Sequence, residues 1–173
     1  MTFADLVAGD SVFVDANTFI YYFGPDPVFG AVCRQLIQSI DSQQLHGFTS
    51  THVLAEVAHQ LMIIEASTLP GWTLGKVRQR LQQQPSVVQQ LALFRRTIET
   101  VLQSNLRVLT LAPALLGDAV VLSQQHGLLT NDALNLVGDA GERLNENRQR
   151  RRRLSTACRT SRVTLPPDAM TRS

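Results

Sequence analysis

Three short apolar runs along the chain predict the strands of the fold. Residues 11–14 (Ser-Val-Phe-Val) form a β-branched and aromatic run that ends at Asp15, which is typical of a buried strand. Residues 46–49 are a second short strand candidate. Residues 106–111 alternate apolar and polar positions well enough to be a third. We therefore predict at least three strands in this chain.

Between these strands, apolar residues recur with the 3.6-residue helical period. This spacing predicts helices over 18–23, 28–40, from Ser50 or Thr51 to about Glu65, 73–83, 86–103 and 114–125. Gly127 is a C-cap signal for the last of these, and a further helix is predicted to begin near Asp132. Strands that alternate with helices predict an α/β fold in which a small parallel sheet is flanked by helices.

Composition divides the chain into a body and a basic tail. Residues 1–141 hold 7 Lys and Arg against 11 Asp and Glu, a net charge of −4, whereas residues 142–173 hold 9 Arg against 3 acids, a net charge of +6. The periodic pattern decays beyond about residue 138, where Arg, Ser, Thr and Pro dominate. We predict one domain over residues 1–138 and a poorly ordered, Arg-rich tail over 139–173.

The cysteines and the hydropathy of the chain indicate in which cellular compartment the protein is expected. The two cysteines, Cys33 and Cys158, lie far apart and lack metal-ligand spacing, which favours reduced thiols and a cytoplasmic location. The first ten residues carry acids rather than a basic patch before an apolar core, so they do not resemble a secretory signal. No apolar stretch approaches the length of a membrane span, and we expect no membrane association.

Candidate chemistry centres on acidic residues near the predicted strand ends. Asp15 follows the first strand directly, at the edge where open parallel sheets place ligands, although Asp is also a common helix N-cap. Glu56 lies about one and a half turns into the helix after the second strand, where the alternative is a solvated side chain. Asp132 stands near a predicted helix N-terminus, where negative charge is favourable for structural reasons alone. Asp118, in the preceding helix, competes with Asp132 for the same role.

Together, Asp15, Glu56 and Asp132 match the ligand chemistry of Mg²⁺ or Mn²⁺. These ions take hard oxygen ligands and keep several waters, so two or three carboxylates suffice. A bound ion of this kind activates water and offsets charge on a phosphate. Other site types lack their residues: the four histidines have no zinc-type partners, and no P-loop, G-x-G-x-x-G or G-x-S-x-G motif occurs. His52 and His59, two helical turns apart, are interpreted as surface residues.

Three sequence blocks resemble the PIN-domain family. Residues 12–19 resemble its opening strand, which ends in Asp and has Asn or Ser two positions later. Residues 49–57 resemble its Ser/Thr-capped helix with an acidic residue, and residues 127–134 resemble the block in which an Asp opens a helix. The likeness covers about residues 12–137, or roughly four-fifths of the chain.

The resemblance implies a three-layer α/β/α fold and an endoribonuclease that depends on Mg²⁺ or Mn²⁺, as in the VapC-like toxins of toxin–antitoxin pairs. Carried over by position, Asp15, Glu56 and Asp132 would form the acidic cluster, with Asn17 as a supporting polar residue. The resemblance further implies RNA as the substrate, a cognate antitoxin protein as a partner, and a homodimer.

The chain departs from this family pattern in its last acidic position. PIN domains generally offer a fourth acid in a turn before a final strand, whereas Asp139, Glu142 and Glu146 here lie in no such turn. In an alternative alignment, Asp118 is the third acid and residues 130–132 (Thr-Asn-Asp) form the fourth-acid turn. We favour the first alignment, because 14 residues are few for a helix, a turn and a strand.

Two other functions compete with catalysis on RNA. A PIN-fold protein that lacks its fourth acid would bind RNA or a partner without cleaving. A phosphatase with Asp15 as nucleophile would want a second Asp two residues later, where this chain has Asn17. The run of Arg148 and residues 150–153 is either an RNA-contacting arm or an extension without a specific role.

Overall fold

The structure is a computed structural model that describes residues 6–24, 26–72 and 74–138 of the 173-residue chain. The predicted Arg-rich tail, residues 139–173, lies outside the described residues. Its order, and the domain boundary at residue 138, therefore stay predictions. No helix in the described part of the chain is long and apolar enough to cross a membrane.

Three parallel strands form the sheet, in the order β1-β2-β3. The strands are β1 (Ser11–Phe13), β2 (His46–Ser50) and β3 (Arg107–Leu109). In the register, Phe13 lies opposite Phe48, and Ser50 lies opposite Leu109. All three strands therefore end at the same edge of the sheet, and the predicted small parallel sheet flanked by helices is confirmed.

Eight α-helices connect and cover these strands in the described residues. They are α1 (Ala16–Phe23), α2 (Gly30–Asp41), α3 (Thr51–Ser67), α4 (Val77–Gln83), α5 (Pro85–Gln90), α6 (Leu93–Gln103), α7 (Pro113–His126) and α8 (130–138). Local signals place two of the boundaries. The Ser50 hydroxyl accepts from the Val53 amide at the start of α3, and Gly127 ends α7 with a left-handed φ of 67°.

The main core lies between the sheet and the helices α1, α2, α3 and α6. Its fully buried side chains include Phe19 of α1 together with Val53, Val57 and Leu61 of α3. These α3 residues follow the helical period, so one face of the helix is buried against the sheet and its neighbours. The carboxyl edge of the sheet is therefore supported by the packed apolar side chains of this core.

The prediction of one continuous helix over residues 86–103 is wrong, because the helical conformation is interrupted between α5 and α6. The cause lies on another helix: the Glu65 carboxylate of α3 accepts from the backbone amides of Ala92, at 3.0 and 3.1 Å, and Leu93, at 2.9 Å. Glu65 thus satisfies amides at the start of α6 that a continuous helix would bond internally. A local sequence pattern carries no sign of this contact.

The helices α7 and α8 form a separate small cluster. Ala119 of α7 packs with Ala133 and Leu134 of α8, and all three side chains are buried. Gly138, at the end of α8, lies near the Phe13 ring: a Cβ added there would be 4.0 Å from that ring. The helix α8 therefore runs beside the end of β1.

Candidate active site

The carboxyl edge of the sheet is fixed by contacts between β1 and β2. The backbone amide of Val14 donates to the carbonyl oxygen of Phe48 at 2.7 Å, which continues the strand pairing one residue past β1. The buried hydroxyl of Thr49 donates to the Val14 carbonyl oxygen at 3.0 Å. These two bonds set the direction of the backbone directly before Asp15.

Asp15 follows this fixed segment and begins α1. Its Oδ1 accepts from the Ala16 amide at 2.7 Å and from Nδ2 of Asn135 at 3.1 Å. Both donors reach the same oxygen, so Oδ2 has no hydrogen bond within the described residues. The N-cap role considered from the sequence is therefore real, and it leaves one carboxylate oxygen available for a second role.

Asn135, which the sequence analysis did not single out, contacts the candidate residue Asp15. It lies on α8, 120 positions from Asp15, and an Asn within a helix gives no signal of such a contact. Its Oδ1 is buried and has no hydrogen-bond partner within the described part of the chain. A buried acceptor left in this way costs about 1–3 kcal/mol, and a cation or water that bound to it would remove this cost.

Glu56 lies half-buried on α3, the helix that follows β2, and no hydrogen bond or ion pair engages its carboxylate among the described residues. One turn earlier on the same helix, Nε2 of His52 lies 3.1 Å from Oδ1 of Asn131. The helix α8 thus makes two contacts near this edge of the sheet. Asn135 contacts Asp15, and Asn131 contacts His52 of α3. His52 serves as a contact for α8, a role that the sequence did not reveal.

The remaining candidates are exposed. Asp132 lies on α8, three positions before Asn135, and residues at that spacing are neighbours on a helix surface. Asp118 lies on α7, beside the buried Ala119. Asn17 is exposed in the first turn of α1. The choice between Asp132 and Asp118 as the third acid stays open.

Some of the oxygen atoms at the carboxyl edge of the sheet are suitable ligands for a divalent ion. In the ranges 6–24, 26–72 and 74–138, no group of three or more His, Cys, Asp and Glu side chains is arranged to hold a metal ion. The free Oδ2 of Asp15 and the orphaned Oδ1 of Asn135 are nevertheless hard oxygen donors on two hydrogen-bonded side chains, the type that Mg²⁺ and Mn²⁺ prefer. The assignment of Asp15, Glu56 and Asp132 as metal ligands stays a prediction.

The chain was compared with known protein families. The family model described as the PIN domain matches residues 12–137, from the second residue of β1 to the last residue but one of α8. No curated protein matches the chain at a significant level.

Proposed function

Because this chain belongs to the PIN-domain family, it carries a nuclease domain, and we propose that it is an endoribonuclease that hydrolyses RNA with the help of Mg²⁺ or Mn²⁺. The observation that carries the proposal is the Asp15 carboxylate at the carboxyl end of β1, whose Oδ1 is hydrogen-bonded and whose Oδ2 has no partner among the described residues. Open parallel sheets place their ligands at this edge.

In this proposal, Asp15 and Glu56 hold the ion, and Asp132 is the third acid from the rim of the site. When bound, such an ion lowers the pKa of a water ligand and offsets negative charge on the phosphate. The chain's own part is to keep the ligands in place. The Thr49 bond to Val14 and the Ala16 amide bond to Asp15 orient one carboxylate without further rearrangement.

We extend the proposal to the biological role of a toxin in a toxin–antitoxin pair, acting in the cytoplasm as a homodimer. The family resemblance is what supports this extension, together with the cysteine usage that favours a reducing compartment. Expression of the wild type in a bacterial host would then arrest growth, and Asp15→Asn would relieve the arrest.

Cleavage of RNA by purified protein tests the enzymatic core of the proposal. Wild-type protein with Mn²⁺ or Mg²⁺ should cut members of a broad panel of structured RNAs internally, and EDTA should stop the reaction. Asp15→Asn keeps the size of the side chain and an oxygen for the Ala16 amide but removes the charge. We expect its rate to fall at least about a hundredfold, equivalent to about 2.7 kcal/mol of transition-state stabilisation.

The controls for this assay distinguish cleavage at the proposed site from cleavage by a contaminating nuclease. Leu102→Ala, which truncates an exposed side chain at the far end of α6, should cleave like the wild type. Full activity in Asp15→Asn would indicate a contaminating nuclease and would remove Asp15 from the site.

A second candidate function is that of a PIN-fold protein that binds RNA or a partner without cleaving it. The observation that favours it is the lack, among the described residues, of a three-residue acidic group able to hold an ion. Wild-type protein that binds RNA but leaves the whole panel intact with both ions would support this candidate over the enzyme.

A further inference from the structure

In the side-chain amide of Asn135, the amino group is hydrogen-bonded and the carbonyl oxygen has no partner among the described residues. Nδ2 donates to Oδ1 of Asp15 at 3.1 Å, whereas Oδ1 is buried and has no hydrogen-bond partner in the part of the chain that the structure describes. Turning the amide by 180° would not relieve this, because two oxygen acceptors would then face each other. The orphaned oxygen is therefore a fixed feature of this contact.

The position of this oxygen is set by the fold. The helix α8 is anchored by the buried Ala133 and Leu134, which pack with Ala119 of α7, and by the contact between Asn131 and His52 one turn before Asn135. Asp15 is held by the end of β1 and the start of α1. The fold thus brings the side chains of Asp15 and Asn135 together through β1, α1, α3 and α8.

We propose that Asn135 contributes its carbonyl oxygen to the same divalent-ion site as Asp15, while its amino group orients the Asp15 carboxylate. This inference rests on the metal-dependent function proposed above and adds to it a neutral ligand. An amide oxygen is a hard donor that Mg²⁺ and Mn²⁺ accept beside carboxylates. It also adds no negative charge beside the Asp15 carboxylate, to which its amino group is hydrogen-bonded.

Two substitutions at this position separate the two halves of the amide. Asn135→Ala removes both the donor and the oxygen. Asn135→Asp keeps an oxygen ligand but loses the donor, and it places a second carboxylate beside that of Asp15. The added negative charge of the Asp variant by itself favours a cation, so weaker binding by this variant than by the wild type would overturn the ligand role.

Mn²⁺ binding to the full-length, metal-free protein is the measurement, with free Mn²⁺ followed by its electron paramagnetic resonance signal. Wild type should bind one Mn²⁺ that Asp15→Asn does not bind. Asn135→Ala should bind at least about tenfold more weakly, and Asn135→Asp should bind at least as tightly as the wild type. Leu136→Ala, which truncates an exposed neighbour on the same helix, should match the wild type.

Thermal denaturation gives a second readout that does not depend on binding stoichiometry. Asn135→Asp should melt at a lower temperature than the wild type in EDTA, because two carboxylates then repel each other. Mn²⁺ should raise its melting temperature by more than it raises that of the wild type. If Asn135→Ala does not fold, the Asn135→Asp protein still provides a test, because Mn²⁺ binding weaker than that of the wild type would overturn the ligand role.

The outcomes distinguish this inference from the function on which it rests. Equal Mn²⁺ affinity in wild type and Asn135→Ala, with loss in Asp15→Asn, would overturn the role of Asn135 and leave the metal site at Asp15 intact. An Asn135→Asp protein that folds but binds as weakly as Asn135→Ala would also overturn the ligand role. No binding to the wild type, or equal binding to Asp15→Asn, would overturn the metal-dependent function as well.

Discussion

At the scale of single residues, the Asp15 carboxylate has an observed structural role and a proposed chemical one. Its Oδ1 accepts from Ala16 and Asn135, and under the proposed function its Oδ2 would bind the ion. Asp15→Ala would therefore destabilise α1 and remove a ligand at the same time, whereas Asp15→Asn separates the two effects. Any variant at this position should be compared by stability in EDTA before its activity is interpreted.

The site could be predicted in part because some of its signals are local. Asp15 stands at the end of an apolar run, and that position depends only on neighbouring residues. Asn135 could not be found in this way, because what distinguishes it is a contact with a residue 120 positions away. The lack of a donor to its Oδ1 among the described residues is likewise a property of the packed molecule and not of the sequence.

Cys33 provides a residue-scale prediction about pH. Its side chain is 4% exposed, and burial, with a smaller contribution from the charge of Asp26, raises the pKa of the thiol above its ordinary value of 9.0. The unfolded chain then releases this proton at a lower pH than the folded chain. The stabilising contribution is fully present below pH 9 and is lost as the pH rises through the folded value.

Chemical denaturation across pH 7.5 to about 10.5 would measure this contribution. The free energy of unfolding of the wild type should fall more steeply above about pH 9 than that of Cys33→Ala, by at most about 1.4 kcal/mol per pH unit. Taking the difference between the two proteins cancels the titration of tyrosines and lysines. Parallel pH profiles would contradict a raised thiol pKa.

At the scale of elements, Glu65 shows how a tertiary contact decides where a helix begins. The helical period runs through residues 86–103, yet α6 begins only at Leu93, where a carboxylate from α3 caps its first amides. Negative charge is favourable at a helix N-terminus, so the contact stabilises α6 while it joins α3 to α6. Starts such as that of α3 were predictable because Ser50 supplies its own cap locally.

Removing the Glu65 carboxylate should weaken the link between α3 and α6. Glu65→Ala leaves two backbone amides without a charged acceptor, and we expect a loss of about 1.5–3 kcal/mol in the free energy of unfolding. Glu65→Gln, which keeps one oxygen acceptor, should lose less. Urea denaturation would give the three values.

Glu99→Ala is the matched control for this prediction. Glu99 lies on α6 and pairs with Arg95 at 2.9 Å, but its side chain is 55% exposed. Exposed pairs of this spacing contribute about 0.3–0.5 kcal/mol. A Glu65→Ala effect no larger than that of Glu99→Ala would mean that the cap contributes little to stability.

At the scale of the whole molecule, the described apolar core is contained between Val14 and Leu134. We therefore predict that deleting residues 142–173 leaves the fold intact and changes the melting temperature by no more than about 2 °C. Circular dichroism on heating would measure this. A truncated protein that does not fold would show that the deleted segment supplies part of the core.

The same truncation tests the two interpretations of the arginine run. It removes nine Arg and three acids and leaves a body with a net charge of −4. If the arginines contact RNA, the affinity at low salt should fall and its dependence on salt should become shallower. Unchanged affinity would indicate an extension without a role in RNA binding.

The long separation between Asp15 and Asn135 also has a consequence for timing. A chain is made from its N-terminus, so β1, β2 and β3 leave the ribosome before α8 does, and a domain folds as a unit. If the Asn135 oxygen is needed for the ion, the nascent protein has no complete site until α8 has been made. A nuclease built in this way would spend most of its synthesis unable to cut the message from which it is being translated.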